Sequence, residues 1–256
     1  MYTKESIEKT LKTDGLQIRV VDALPSTNSA LKAEAQNGAA EGTVLLARRQ
    51  SAGRGRNGHT FLSPENTGIY MSILLRPLLP AADALRITTA AAVAVCEAIE
   101  EVCQKQADIK WVNDIYCGGK KVCGILTEGA VDENGKLSYA VLGIGLNVAE
   151  PKDGFPPELP NAGALLPKAE EPVFSRLAAS VLDRFFMYYA DLSDPQIHEK
   201  YARRDYLKGK NVHIVGQPLT GTAVGIDESF QLLIRTEDGT IHPLTSGEVG
   251  ISFDVN

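Results

Sequence analysis

No apolar run in this 256-residue sequence approaches the roughly 20 residues that a membrane span requires. Its start, Met1-Tyr2-Thr3-Lys4-Glu5, lacks the apolar core and small-residue cleavage site of a secretory signal, and no lipidation signal is visible. A soluble, cytoplasmic protein with no membrane partner is expected. The four cysteines, Cys96, Cys103, Cys117 and Cys123, show no CxxC pairing. That excludes the usual zinc and redox signatures and leaves them as reduced packing residues, with no protein-held metal expected. Basic residues are also in deficit, 26 against 32 acidic, for a net charge of −6. A general nucleic-acid binder would instead present a basic face.

What is present is ordinary globular material, 44% hydrophobic and 23% charged, enough for a large domain or a main domain plus a small one. Ile7 and Leu11 lie at helical spacing within 3–13, and 17–21 reads as a β-branched strand. Ser26, Thr27 and Asn28 offer caps to a helix ending at Asn37-Gly38. Strands follow at 43–50 and 69–75, separated by a polar, glycine-rich loop, and 84–106 repeats apolar residues with helical period. Strands are expected at 109–112, 121–131 and 137–147, the last two joined by the Asp132-Glu133-Asn134-Gly135 turn. The stretch 150–172, with Pro151, Pro156, Pro157, Pro160 and Pro167, reads as a connector, and helices are expected at 173–189 and 195–206. From Gly209 on, short strands split by Gly216-Gln217, Asp227-Glu228-Ser229 and Asp238-Gly239 suggest a small β-barrel. The expected class is α+β, a mixed and mostly antiparallel sheet flanked by helices, divided into domains 1–207 and 208–256.

One local feature runs against the acidic balance. Arg48, Arg49, Arg54 and Arg56 fall within nine residues that hold no acid, which suggests an anionic small ligand. Gly53-Arg54-Gly55-Arg56-Asn57-Gly58 has the letters of the dinucleotide fingerprint. That fingerprint must open a helix, whereas Ser63-Pro64, Asn66-Thr67-Gly68 and a strand follow here, and no Lys-Ser or Lys-Thr follows the glycines as in a P-loop. What remains is a flexible cationic loop able to wrap a ligand and fork onto carboxylate and phosphate oxygens, or a solvated surface turn with incidental arginines.

Ser26-Thr27-Asn28, Gln50 to Arg56, Lys110-Trp111-Val112-Asn113-Asp114, Lys121-Val122-Cys123-Gly124-Ile125-Leu126 and Gly143-Ile144-Gly145-Leu146-Asn147, taken in order and spacing, resemble the biotin protein ligases. The resemblance is strong over 26–147 and returns in the tail at Ser246-Gly247-Glu248-Val249, which looks like that family's small SH3-like domain. It implies a class II synthetase-like catalytic core. It also implies ATP-dependent activation of biotin to biotinyl-5'-AMP and transfer to a lysine of a biotin carboxyl carrier protein, with Mg²⁺ accompanying ATP.

Carried over by that resemblance, Ser26, Thr27, Asn28 and Gln50 line the biotin site together with Gly53, Arg54, Gly55, Arg56, Lys121 and Gly124. Arg54, Arg56, Phe61, Asn113, Lys121 and Asn147 face the nucleotide, and Arg56, Lys121 and Asp114 serve the chemistry. Simpler readings stand beside these: helix capping by Ser26 or Thr27, a strand-edge Lys121, an Asn113-Asp114 turn bonding its own backbone, and a core Trp111. His59 beside the loop is weak ground for acid–base catalysis, since a carboxylate substrate is already ionised at neutral pH. Three departures from the family pattern are Val112 in place of proline, Phe61 in place of tryptophan, and no arginine after Glu248. A lipoate protein ligase and a non-catalytic biotin-binding module are the alternatives. The roughly 15 residues before Gln17 are too few for a DNA-binding domain, so no DNA partner is expected, whereas a homodimer through an exposed sheet edge is compatible with the sequence.

Overall fold

The computed structural model describes residues 2–252. The end of the expected second domain, 253–256, lies outside the described residues. Twelve described strands form two sheets, β1 (Gln17–Leu24), β2 (Thr43–Gln50), β3 (Gly68–Leu75), β4 (Asp108–Lys110), β5 (Asp114–Cys117), β6 (Lys120–Val131) and β7 (Leu137–Asn147) making the first in the order β1-β2-β3-β7-β6-β5-β4. Only β1 and β2 pair in parallel, because α2 (Thr27–Gln36) carries the chain between them; the other pairs are antiparallel.

Helices cover this sheet unequally. α1 (Lys4–Glu8), α3 (Leu85–Cys103), α4 (Glu171–Tyr189) and α5 (Pro195–Arg203) share a continuous apolar core with Val44, Leu46, Ile73, Leu75, Leu142 and Ile144. Strand side chains alternate, so the intervening Leu45, Leu74 and Val141 face the other way, where Leu31 and Ala35 of α2 cover them. β3 is buried along its whole length for that reason. α2 covers only part of its face, and the uncovered remainder is where the cavity lies.

Element boundaries depart from expectation in a few places. The first helix is only Lys4–Glu8, closed by a Thr3–Ser6 capping box. β4 stops at Lys110 and a separate β5 begins at Asp114, so Trp111, Val112 and Asn113 form the turn between two short strands rather than the end of one. The Trp111–Val112 peptide is cis. The turn is held from outside, by the Tyr201 hydroxyl donating to Val112 O at 3.0 Å and the Trp111 indole donating to Phe230 O at 2.8 Å.

The second sheet comprises β8 (Asn211–Ile214), β9 (Thr220–Ile226), β10 (Leu232–Arg235), β11 (Ile241–Leu244) and β12 (Val249–Ile251), in the order β11-β10-β9-β8-β12. The expected small β-barrel is present as a five-stranded antiparallel sheet that stays open: β11 and β12 are opposite edges with no pairing between them among the described residues. Its apolar face, with Phe230, Leu232, Ile234 and Val249, joins the main core instead of closing on itself. All four cysteines are free, and burial raises the Cys96 and Cys123 thiols above the ordinary range, as packing residues require. Among the described residues, no helix is long and apolar enough to cross a membrane.

Candidate active site

The floor of the cavity is made by what β6 and β7 lack. Gly124 pairs with Gly145 and Leu126 with Gly143, all on the face that α2 leaves open. Side chains at the glycine positions would fill the cavity or displace its walls. A Cβ on Gly145 would come within 2.6 Å of the Phe61 ring, and one on Gly143 would run into the Asn28 side chain. Phe61 thus lies over the glycine pair, with its ring edge-to-face on Tyr70 at 6.4 Å.

The N-terminus of α2 points into this space. Ser26 caps the helix, accepting from Ser29 N at 3.4 Å, and also lines the cavity, so the capping role and the wall role coexist. Ser26, Thr27 and Asn28 are each 5% exposed or less, and burial of polar groups at that level demands partners. The Ser72 hydroxyl supplies one to each of the last two, 2.6 Å from Asn28 Oδ1 and 2.7 Å from Thr27 Oγ1. Gln50 Oε1 accepts from Thr27 N at 2.8 Å, while its amide donates to Ser63 Oγ at 3.0 Å. Asn28 Nδ2 reaches Leu126 O and Glu128 Oε2 at 3.3 and 3.2 Å. These contacts fix the rotamers of the wall before any ligand arrives.

The glycine-arginine loop folds as a small hairpin over the cavity, closed by Gly55 N to His59 O at 2.7 Å and Phe61 N to Gly53 O at 3.0 Å. Its tip holds Asn57 and Gly58 at φ of 52° and 80°, and glycine and asparagine tolerate that left-handed geometry best. Gly53 does not line the cavity. It is buried under the hairpin, where a Cβ would collide with Phe61 O and sit 2.7 Å from Ser63 Oγ, so glycine is required there for close packing. Arg54, Gly55 and Arg56 do line it.

Charges converge from three elements. Lys121 Nζ lies 2.7 Å from Asp114 Oδ1, Arg54 lies 3.0 Å from Glu128 Oε1, and Arg56 donates to Asn113 Oδ1 at 3.2 Å. The Asn113 amide donates in turn to Ile125 O at 2.8 Å, so both proposed turn residues are tied to the neighbouring strand. Asn147 ends β7 at the cavity with its Nδ2 donating to Gly163 O at 3.0 Å, which leaves its oxygen available. Apart from Gly53, every site residue expected from the sequence borders one cavity of about 370 Å³, within the range of small-ligand pockets.

Three contributors lie outside the sequence expectation. Lys110 and Tyr116 enter from β4 and β5. The proline-rich connector supplies Phe155 and Leu159 and is stitched to the sheet by Lys121 N to Asn161 O at 2.7 Å and Gly163 N to Lys121 O at 2.9 Å. Glu248 arrives from the second sheet and meets His59 Nε2 at 3.3 Å. The connector has no hydrophobic period by which it could be found. Ser72 and Glu128, which brace the wall, also carry no motif, although Ser72 is a polar residue inside an otherwise apolar strand.

Residues 20–147 match the biotin/lipoate A/B protein ligase family, and residues 209–251 match the biotin protein ligase C-terminal domain. The chain is 36% identical over 240 residues to a bifunctional ligase/repressor of Bacillus spizizenii, covering 90% of this chain and 73% of that protein. It is 38% identical to a biotin--[acetyl-CoA-carboxylase] ligase of Paracoccus denitrificans, covering 76% and 85% of the two chains. A biotin protein ligase from Aquifex aeolicus in complex with biotin and ATP superposes with a TM-score of 0.73 at 28% identity, covering 92% of this chain and 98% of that one. Motifs, fold, cavity and relatives agree, and the chain belongs to the biotin protein ligases.

Proposed function

We propose that this chain forms biotinyl-5'-AMP from biotin and MgATP and transfers the biotinyl group to a lysine of a biotin carboxyl carrier protein. The observation that carries the reading is the placement of Lys121, Arg54 and Arg56 beside a buried, prearranged wall of Ser26, Thr27, Asn28 and Gln50 in one cavity. The wall suits a polar, uncharged ring head, and the glycine floor suits a flat, apolar body. In the first step a biotin carboxylate oxygen bonds to the α-phosphorus of ATP, the bond to the β-phosphate oxygen breaks, and pyrophosphate leaves. In the second, the acceptor amine attacks the acyl carbon, and AMP leaves as the amide forms.

Bringing two anions to about 4 Å costs roughly 4 kcal/mol at an effective dielectric near 20. Lys121 and Arg56 lie where they offset that repulsion, and their benefit grows as charge shifts onto the leaving oxygens. Phe61 and Asn147 bound the adenosine end, the ring by stacking and the amide oxygen by accepting. Asp114 and Asn113 fit an ion that arrives with ATP, since Mg²⁺ takes one or two protein oxygens and the phosphates supply others. Asp114 also stands where an incoming amine passes. Residues 1–207 form the catalytic unit in this reading, and the tail beyond 207 closes one wall of the cavity through Glu248.

The lipoate alternative is not favoured, because two relatives are named biotin--[acetyl-CoA-carboxylase] ligases and a similar solved structure holds biotin and ATP. The test mixes the chain with MgATP, a carrier domain, and biotin or lipoate, and weighs the acceptor. Labelling with biotin is expected. Labelling with lipoate alone would reassign the substrate, and biotin binding without biotin-dependent pyrophosphate exchange into ATP would leave only a binding module.

A further inference from the structure

Four cations line the cavity, and they are not equally engaged. Arg54 is paired with Glu128 and Lys121 with Asp114, whereas Arg56 has only the neutral Asn113 amide. The half-buried Lys110 side chain has no hydrogen bond or ion pair among the described residues. Burial pulls its ammonium below the ordinary lysine range, Asp114 and Glu248 act to raise it, and Lys121 adds to the lowering. An unpaired cation held in a cavity at such a cost is a group without its counter-ion.

Its position says which anion is missing. Lys110 sits on β4 and pairs in register with Asp114 on β5, which in turn faces Lys121 from β6. Lys110 and Lys121 therefore come from the two strands that border β5, β4 and β6, which lie two strand spacings of ~5 Å apart. A triphosphate chain has that reach. With Lys121 at the α-phosphate, Lys110 lies toward the leaving group.

We propose that Lys110 is a catalytic residue that binds the β- and γ-phosphate oxygens and neutralises the charge that accumulates on the departing pyrophosphate. This rests on the ligase reading above. In the adenylation step the P–O electron pair moves onto the β-phosphate oxygen, and a cation placed there stabilises the transition state more than the ground state. Lys110 has no part in the second step, where the leaving group is AMP and no polyphosphate remains.

The experiment separates the half-reactions. Lys110→Met keeps the side chain's length and removes its charge, and Lys110→Arg restores the charge. Biotin-dependent exchange of labelled pyrophosphate into ATP is expected to fall about 100-fold in Lys110→Met, the scale seen when one transition-state donor is removed, with a raised KM for pyrophosphate. Transfer from chemically made biotinyl-adenylate to the carrier domain stays within about 3-fold, and Lys110→Arg recovers most of the exchange. Equal losses in both half-reactions, or an exchange rate and pyrophosphate KM like the parent's, overturn the proposal. Failure of the ligase reading would show differently, as no exchange in the unaltered chain.

Discussion

Lys121 Nζ and Asp114 Oδ1 stand 2.7 Å apart on adjacent strands, at the meeting point of the biotin wall and the proposed phosphate path. Both side chains remain partly accessible, at 34% and 21%, so the pair is a poised cation with a removable partner rather than a buried structural bridge. Replacing Lys121 by Met is expected to lower biotin-dependent pyrophosphate exchange by about 10²–10³-fold, the range for losing one charge-stabilising donor. Circular dichroism and the melting curve should change little. A variant with parental exchange would return Lys121 to a strand-edge role.

The wall itself rests on a residue with no motif. Ser72 is fully buried, and its hydroxyl serves both Thr27 and Asn28. Ser72→Ala leaves those groups short of a partner at a cost of about 1–3 kcal/mol. The expected signature is a lowered melting temperature together with a biotin KM raised several-fold, while the KM for ATP holds. An ATP KM that rises in step would mean that the wall belongs to the nucleotide instead.

How far the sequence alone discloses this site follows from the physics of each part. Thr43–Gln50, Leu137–Asn147 and the caps of α2 are written in local alternation and turn chemistry, and they appear as expected. β5 escapes detection because four residues between a turn and a glycine pair cannot show a period. The second domain's strands appear as expected, but its openness is not legible, because strand alternation specifies a half-buried sheet and not what covers it, and here the main core does so through Phe230 and Trp111. Lys110, Phe155 and Glu248 reach the cavity only through tertiary placement, which one-dimensional spacing does not encode.

Gly143 offers a steric test. An added Cβ would collide with the Asn28 amide, which already accepts from Ser72 and donates to Leu126 and Glu128. Gly143→Ala is therefore expected to cost about 1–3 kcal/mol of stability, as overpacking does, and to weaken biotin binding by displacing Asn28. Calorimetric titration with biotin alone checks it. Unchanged affinity would place Asn28 away from the biotin head.

The arginine hairpin is held to its surroundings by contacts of modest worth. The Arg54–Glu128 pair leaves Arg54 43% exposed, and His59–Glu248 is exposed at 66% and 50%, so each contributes no more than about 1 kcal/mol. Opening is cheap, and trypsin should cut after Arg54 or Arg56 in the free protein. Biotin at 100 times its Kd favours the closed form by about 2.7 kcal/mol, which slows cutting about 100-fold if only that form binds, and ATP adds its own factor. Equal cutting with and without ligands would make the loop an anion clamp with no gating role.

Lys110 carries a consequence for stability that separates it from a residue chosen for the fold. Its folded-state pKa is lowered, first by burial and further by Lys121, against the opposing pull of Asp114 and Glu248. A lysine shifted this way destabilises the native state while charged: the penalty is full below the folded pKa and vanishes as pH rises past the unfolded value. Lys110→Met should therefore melt higher than the parent at pH 7, and the gap should narrow as the pH climbs into the ordinary lysine range. Added pyrophosphate should raise the parent's melting temperature more than the variant's, since only the parent gains a counter-ion for Lys110. Loss of stability in Lys110→Met at pH 7 would mark Lys110 as a structural cation. Gain of stability with loss of exchange is the pattern of a site whose charge is kept for chemistry at the expense of the fold.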